Sequence, residues 1–368
     1  MDVAGRAPRL RAAVAEGADS LLVTNLVNIR WLTGFTGSAG RLLVLPDSML
    51  LVVDGRYGDQ ATQQLAAAGV EADVRIGLTA ASQYEHLGAA CPGLRLGFEA
   101  EQVTVAEHRD MVATWFPLVA GLVPTDGLVE QLRVAKDDGE VARIEAAAAI
   151  ASAALDQLRQ RLLDEPTEAE FGLELDMQMR RLGATGPSFE TIVASGPNGA
   201  KPHHRPGGRR IVAGDLVVLD FGAKVDGYCS DMTRTVVVGS PSLTQQRMLD
   251  VVTAAQAAGV AAVREGASCR AVDAACRDII VAAGWGDAFS HGTGHGVGLE
   301  IHEDPRVSFS VDEAATLADR SVVTVEPGVY LPEHGGVRIE DSLLVTPAGS
   351  RCLTHAPKDP AWPSRPTT

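Results

Sequence analysis

Four acidic residues and one histidine interrupt apolar, strand-forming stretches in the second half of this 368-residue chain: Asp220, Asp231, His295, Glu326 and Glu340. Asp220 ends the run Leu216-Val-Val-Leu, and Asp231 opens Met232-Thr-Arg-Thr-Val-Val-Val. Glu326 closes Val322-Val-Thr-Val, and Glu340 follows Gly336-Val-Arg-Ile. Carboxylates gathered in such surroundings repel one another and resist ionisation unless cations neutralise them. Two divalent ions would balance four negative ligands. The pattern therefore predicts a two-metal site, and a fold that brings strands distant in sequence together. One imidazole among oxygen donors favours fairly hard ions, Mn²⁺ first, with Co²⁺, Zn²⁺ or Fe²⁺ as alternatives.

Residues 215–238 read as a β-hairpin with Asp226-Gly227 as the turn dipeptide. With that pair as the loop, Asp220 lies opposite Thr233 and diagonal to Asp231. With Val225-Asp226 as the loop, it faces Asp231 directly. Both registers put the two carboxylates on one face, because strand side chains alternate with a period of two, whereas a three-residue loop, the less favoured reading, would separate them. The segment Ser290-His-Gly-Thr-Gly-His-Gly-Val-Gly holds four glycines in seven positions, which disfavours a helical zinc-protease motif. A phosphate-binding loop competes as a reading, but its Lys-Ser/Thr ending is missing. In extended backbone His291 and His295 share a face, and His302 follows closely. Arg338 shares a face with Glu340 and is placed to orient or neutralise it. Each feature also has a plainer reading: a strand-end cap for Asp220, a solvated Asp231, a hydrogen-bonded core histidine, and a structural Arg338–Glu340 pair.

Charge and composition exclude several functions. Acidic side chains number 47 against 32 basic ones, giving a formal charge of −15. Nucleic acid is thereby disfavoured as a partner, since phosphate binding needs a basic face. No apolar run approaches the ~20 residues of a membrane span; the longest, 144–155, reads as a helix. The N-terminus lacks the apolar core of a signal peptide. The five cysteines show no Cys-x-x-Cys spacing, so reduced thiols and a cytoplasmic address are expected.

Residues 1–125 alternate strand signals (21–23, 41–45, 49–53) with helical ones (56–68), as in a compact α/β domain. Pro124-Thr125-Asp126-Gly127 marks a turn, and the boundary is expected near it. A long helix is predicted after Lys136-Asp137-Asp138, running to about Leu163, and a capping box at Thr167 and Glu170 starts the next. Strands, two helices (242–264 and 268–283) and further strands follow, which suggests an α+β domain, 126–354, with a curved antiparallel sheet. The tail 355–368 carries four prolines and is expected to be disordered.

Taken together, the segments between about 136 and 353 resemble the metallopeptidase family of methionine aminopeptidase, aminopeptidase P and prolidase, with its pita-bread catalytic domain. Five ligand positions occur in order with their flanking motifs. Asn28-Ile-Arg-Trp31-Leu-Thr-Gly-Phe-Thr-Gly37 and Val53-Asp-Gly-Arg-Tyr57 resemble the creatinase-like N-terminal domain of the proline-specific branch. That domain argues against methionine aminopeptidases, which generally lack it. The resemblance implies that Asp220 binds one ion, that His295 and Glu326 bind the other, and that Asp231 and Glu340 bridge both. It also implies roles outside the metal shell for His203, His291 and His302, and a homodimer. Lys201 departs from the apolar residue more usual before Pro202-His203, and His204 receives no role.

On this reading, water activated between the ions attacks the carbonyl of an Xaa–Pro bond. Glu326 or the bridging pair moves its proton, and His302 and His291 stabilise the tetrahedral intermediate. Pro305-Arg306 resembles a prolidase feature in which an arginine meets the free carboxylate of a dipeptide. Xaa-Pro dipeptidase is therefore the first expectation, and aminopeptidase P, acting on longer peptides, the second. Creatinase-like amidinohydrolysis, which uses the fold without metals, and a non-catalytic binding module are opposed by the intact ligand set. Trp31 and Phe35 are expected to be buried in their own domain.

Overall fold

The apolar runs read from the sequence do form strands, and the glycine and proline clusters separate them. A computed structural model describes residues 2–360. The chain divides into two units, Met1–Arg133 and Val134–Thr368. The division falls past the Pro124 turn, because strand Gly121–Thr125 pairs in parallel with Arg95–Glu99 and helix Leu128–Arg133 closes the same unit. The boundary expected near 125 therefore lies inside the first unit.

In the first unit a six-stranded sheet runs in the order Asp73–Ile76, Met49–Val53, Arg41–Val44, Ser20–Val23, Arg95–Glu99, Gly121–Thr125. Its two pairings from Ser20–Val23 to Met49–Val53 are antiparallel, the second of them a hairpin, whereas Met49–Val53 with Asp73–Ile76 and Ser20–Val23 with Arg95–Glu99 pair in parallel. Leu22, Leu43, Val52, Leu87 and Phe98 form its core. Trp31 and Phe35 are both buried. The helix expected at 56–68 spans Gly58–Ala68 and stops at Gly69, whose φ of 65° suits a left-handed cap.

The second unit has two apolar cores of like construction. Helices Asp138–Leu158 and Glu168–Arg181 pack on an antiparallel sheet ordered Met232–Val237, Leu216–Phe221, Ile192–Ser195. Helices Leu243–Ala262 and Cys269–Ala282 pack on a five-stranded antiparallel sheet ordered Glu303–Val307, Gly294–Gly296, Val322–Val325, Asp341–Thr346, Gly349–Cys352. Capping boxes at Asp137, Thr167 and Ser242 start three of these helices. The first α-helix ends at Leu158, and the turn continuing to Asp164 is 3₁₀ rather than α. Val217, Leu219 and Phe221 face the first core, so the alternate face of their strand is left for Asp220. Met232 and Val236 do the same for Thr233 and Thr235.

The tail differs from expectation. Residues 355–360 are placed: Ala356 is buried, and its carbonyl accepts from Arg234. The rest of the tail lies outside the described residues.

Candidate metal centre

The hairpin turns at Asp226-Gly227, where φ is +44° and +80° and Val225 pairs with Tyr228. Thr233 accordingly pairs with Asp220. Asp231 and Asp220 therefore project from one face as diagonal neighbours, and Glu340 enters from the link just before strand Asp341–Thr346. Asp220, Asp231 and Glu340 each offer an oxygen within 4.8 Å of the others. His295 joins them from strand Gly294–Gly296, its Nε2 lying 3.5 Å from Asp231 and 3.4 Å from Glu326. Two glycines make that approach possible. A Cβ on Gly294 would stand 2.0 Å from the Thr324 carbonyl oxygen, and one on Gly296 would stand 2.2 Å from that of Asp304.

The electrostatics of this cluster call for cations. Burial raises the Asp231 carboxyl well above its usual range, and the charges of Glu340, Asp220 and Glu326 add to the shift. Glu340 is raised likewise, by burial and then by Glu326 and Asp220. Burial lifts Glu326 to about 7, with Asp220 contributing. Arg338 stands 2.6 Å from Asp220 and supplies one positive charge against four acids. Asp220 Oδ1 and Glu340 Oε1 are buried with no hydrogen-bond partner.

The histidine points the same way. His295 Nδ1 donates to the Gly296 carbonyl at 2.9 Å, which leaves a lone pair on Nε2 facing two carboxylates. Burial holds this imidazole neutral, with a pKa lowered to about 3, so its contacts with Asp231 and Glu326 are not ion pairs. A neutral nitrogen lone pair aimed at carboxylate oxygens is repulsive, and a cation between them removes the repulsion. The donor set fits two divalent ions.

Around the cluster lies a cleft of about 600 Å³ lined also by His203, His204, His291, His302 and Arg306. Volume does not decide the site: a groove of about 1000 Å³ in the first unit lacks this ligand cluster.

Residues 142–347 match metallopeptidase family M24, and residues 6–135 match the creatinase/prolidase N-terminal domain. The chain belongs to metallopeptidase family M24. An uncharacterized peptidase of Bacillus subtilis, YqhT, is 42% identical over 344 residues, covering 93% of this chain and 95% of that one. The solved structure of an Xaa-Pro dipeptidase from Bacillus anthracis superposes with a TM-score of 0.89 at 38% identity, over 97% of this chain and 99% of that one. An X-Pro aminopeptidase from Thermotoga maritima gives a TM-score of 0.85 at 31% identity, over 95% and 99% of the two chains.

In this M24 peptidase several supporting residues escaped the sequence reading. Arg338 Nε donates to Thr233 Oγ1 at 3.0 Å, and Thr233 Oγ1 in turn donates to Glu340 Oε2 at 2.7 Å. Thr233 was legible in principle, since it sits two residues after Asp231 on the same face. Tyr330 was not: its role depends on the register of hairpin Gly328–Leu331 with Gly335–Arg338. Its hydroxyl accepts from Arg338 Nη1 at 2.9 Å and meets His291 Nε2 at 2.8 Å. His291 Nδ1 donates to the Gly292 carbonyl. Both nitrogens of His291 are thus engaged, and burial, with Arg338 beside it, lowers its pKa to about 4. His302 packs edge-on against His295, with ring centroids 4.4 Å apart, and both it and His203 are exposed to the cleft. His204 turns from the metal cluster to the fully buried Glu168, at 2.8 Å. Lys201 is exposed and reaches Asn198. Arg306 is exposed on edge strand Glu303–Val307, where Pro305 needs no ladder donor.

Proposed function

We propose that this M24 peptidase hydrolyses the Xaa–Pro bond of dipeptides. The convergence of Asp220, Asp231, His295, Glu326 and Glu340 beside a cleft that also exposes Arg306 carries the reading. Asp220 would hold one divalent ion, His295 and Glu326 the other, and Asp231 with Glu340 both. When bound, the ions would neutralise the acids, activate water and polarise the scissile carbonyl. Mn²⁺ is the proposed metal, from the predominance of oxygen donors.

The remaining chemistry belongs to side chains. Glu326 takes the proton of the attacking water and returns it to the proline nitrogen, which carries no proton in the substrate amide. His302 and His203 donate to the carbonyl oxygen as it gains charge. His291, with its nitrogens committed to Gly292 and Tyr330, holds Tyr330 and through it Arg338 instead of serving the intermediate directly. Arg338 orients Asp220 through a 2.6 Å bond from its Nη2. Arg306 grips the free carboxylate of the dipeptide in a bidentate pair.

The five cysteines are unpaired, which supports a reducing, cytoplasmic setting, and no helix among the described residues is long and apolar enough to cross a membrane. A homodimer is part of the same proposal. The Thermotoga maritima neighbour favours a second reading, aminopeptidase P activity on longer peptides. Turnover of Ala-Pro against Ala-Pro-Pro-Ala by the Mn²⁺-loaded protein separates the two. Brisk cleavage of the tetrapeptide with none of the dipeptide would replace the first reading with the second.

A further inference from the structure

The extended segment that carries Glu340 into strand Asp341–Thr346 has a second face, and that face is tied to residues 354–358. Successive residues of a strand point to opposite sides. Thr233 and Glu340 turn toward the metal cluster, where their side chains are bonded to each other. Their neighbours Arg234 and Asp341 turn away, and theirs also form a pair, at 3.0 Å. All four side chains are buried.

Arg234 does more than balance Asp341. Its Nη1 donates to the backbone carbonyl of Glu340 at 2.5 Å and to that of Thr233 at 2.9 Å. Its Nε and Nη2 donate to the carbonyl of Ala356 at 3.0 and 2.7 Å. One planar guanidinium thus joins the backbone behind a metal-ligating glutamate to the C-terminal segment. That segment is anchored in turn. Thr354 Oγ1 donates to Asp341 Oδ1 at 2.8 Å, and Lys358 reaches Asp341 Oδ2 and Gln256 Oε1. Gln256, from helix Leu243–Ala262, completes the shell by donating to Asp341 Oδ2 at 2.9 Å. Asp341 accepts four bonds, so removing the strap would leave a buried carboxylate and guanidinium short of partners.

We infer that residues 354–360 act as a strap which, through Arg234 and Asp341, fixes the backbone of Glu340 and so sets the affinity of the metal centre. The inference rests on the metal-site reading above. It gives the chain's last described residues a positioning role in a site to which they contribute no ligand. Hydrogen-bonded partners that orient a ligand typically change metal affinity by about 10- to 100-fold, and the strap acts one bond further out.

Calorimetric titration of metal-free protein with Mn²⁺ alone tests it, with thermal unfolding of the same samples. A chain ending at Leu353 is expected to bind Mn²⁺ on the order of 10-fold more weakly than the full chain. Peptidase activity lost at limiting Mn²⁺ should return at saturation. A chain ending at Pro360 should bind as the full chain does, and equal weakening in that chain would overturn the inference. A strap that served stability alone would lower the metal-free melting temperature and leave the Mn²⁺ affinity unchanged, which also overturns it. Should the shorter chain not fold, the full-length double variant Thr354→Val, Lys358→Met decides: weaker Mn²⁺ binding supports the strap, and unchanged binding refutes it. Failure of the full chain itself to bind Mn²⁺ would instead sink the metal-site reading on which the strap depends.

Discussion

Arg338 shows how one residue couples the acids to their surroundings. Its guanidinium is buried and touches Asp220, Thr233 and Tyr330. Burial works against its charge, yet Tyr330, Asp220 and Glu326 together hold its pKa well above the ordinary arginine value. Arg338→Met strands an acceptor on each partner, and removing one member of such a buried pair typically costs about 3–5 kcal/mol. Guanidinium unfolding of the metal-loaded variant checks this, and stability equal to the parent would show that Asp220 does not depend on the arginine. Asp231 and Glu340 lead to a different expectation. Their truncation to alanine removes a whole carboxylate from a cluster whose ligand atoms lie within 4.8 Å of one another. Asp231→Ala and Glu340→Ala should each abolish peptidase activity, with no recovery on adding metal. Recovery of either at high Mn²⁺ would remove that residue from the bridging position.

At the scale of elements, the decisive feature is close approach between strands. Gly294 and Gly296 flank His295, and either would need its neighbour's backbone to move if it carried a Cβ. Gly294→Ala should destabilise by about 1–3 kcal/mol or more, the usual consequence of overpacking, and should weaken Mn²⁺ binding by displacing His295. A variant that keeps its melting temperature and Mn²⁺ affinity would show that the Gly294–Gly296 strand yields easily. The glycines themselves were legible, because four in seven positions disfavour a helix. So were an aspartate cap at the start of the helix after Lys136, the capping box at Thr167, and the side-chain parity that puts Asp220 and Asp231 on one face. Local rules carry that information. The Tyr330–His291 contact and the 354–360 strap were not legible, since both depend on pairing between segments that no local spacing fixes. Proline content suggested a loose tail, whereas Arg234 supplies a buried donor that captures its described beginning at Ala356. Glu168 was legible only in part. Its place in the first turn of a helix was visible, but its bonds to Ser195, Asn198 and His204 depend on the fold.

For the whole molecule, the cluster makes stability depend on metal and pH together. In metal-free protein, burial depresses His291 to about 4 and His295 to about 3, while Glu326 rises to about 7 and Asp231 and Glu340 rise as well. A depressed histidine binds its proton more readily in the unfolded chain, so these two make stability increase with pH up to about 6.5. A raised carboxyl binds its proton more readily in the folded chain, so the three acids make stability fall once pH passes their unfolded values near 4. Between about pH 4.5 and 6.5 the two sets oppose each other. Above about 6.5 the histidines are neutral in both states, and only the acids continue to titrate. Metal-free protein should therefore lose stability from about pH 6.5 to 8, by on the order of a few kcal/mol, as carboxylates ionise in a space too small for their charges. Bound Mn²⁺ should abolish that fall, because ionised carboxylates are then the stable form. Melting temperatures across this range, with chelator and with Mn²⁺, measure the difference. A chelated protein whose melting temperature is flat or rises from pH 6.5 to 8 would mean that the acids are not crowded as the structure has them. Parallel declines with and without Mn²⁺ would place the titration elsewhere in the chain.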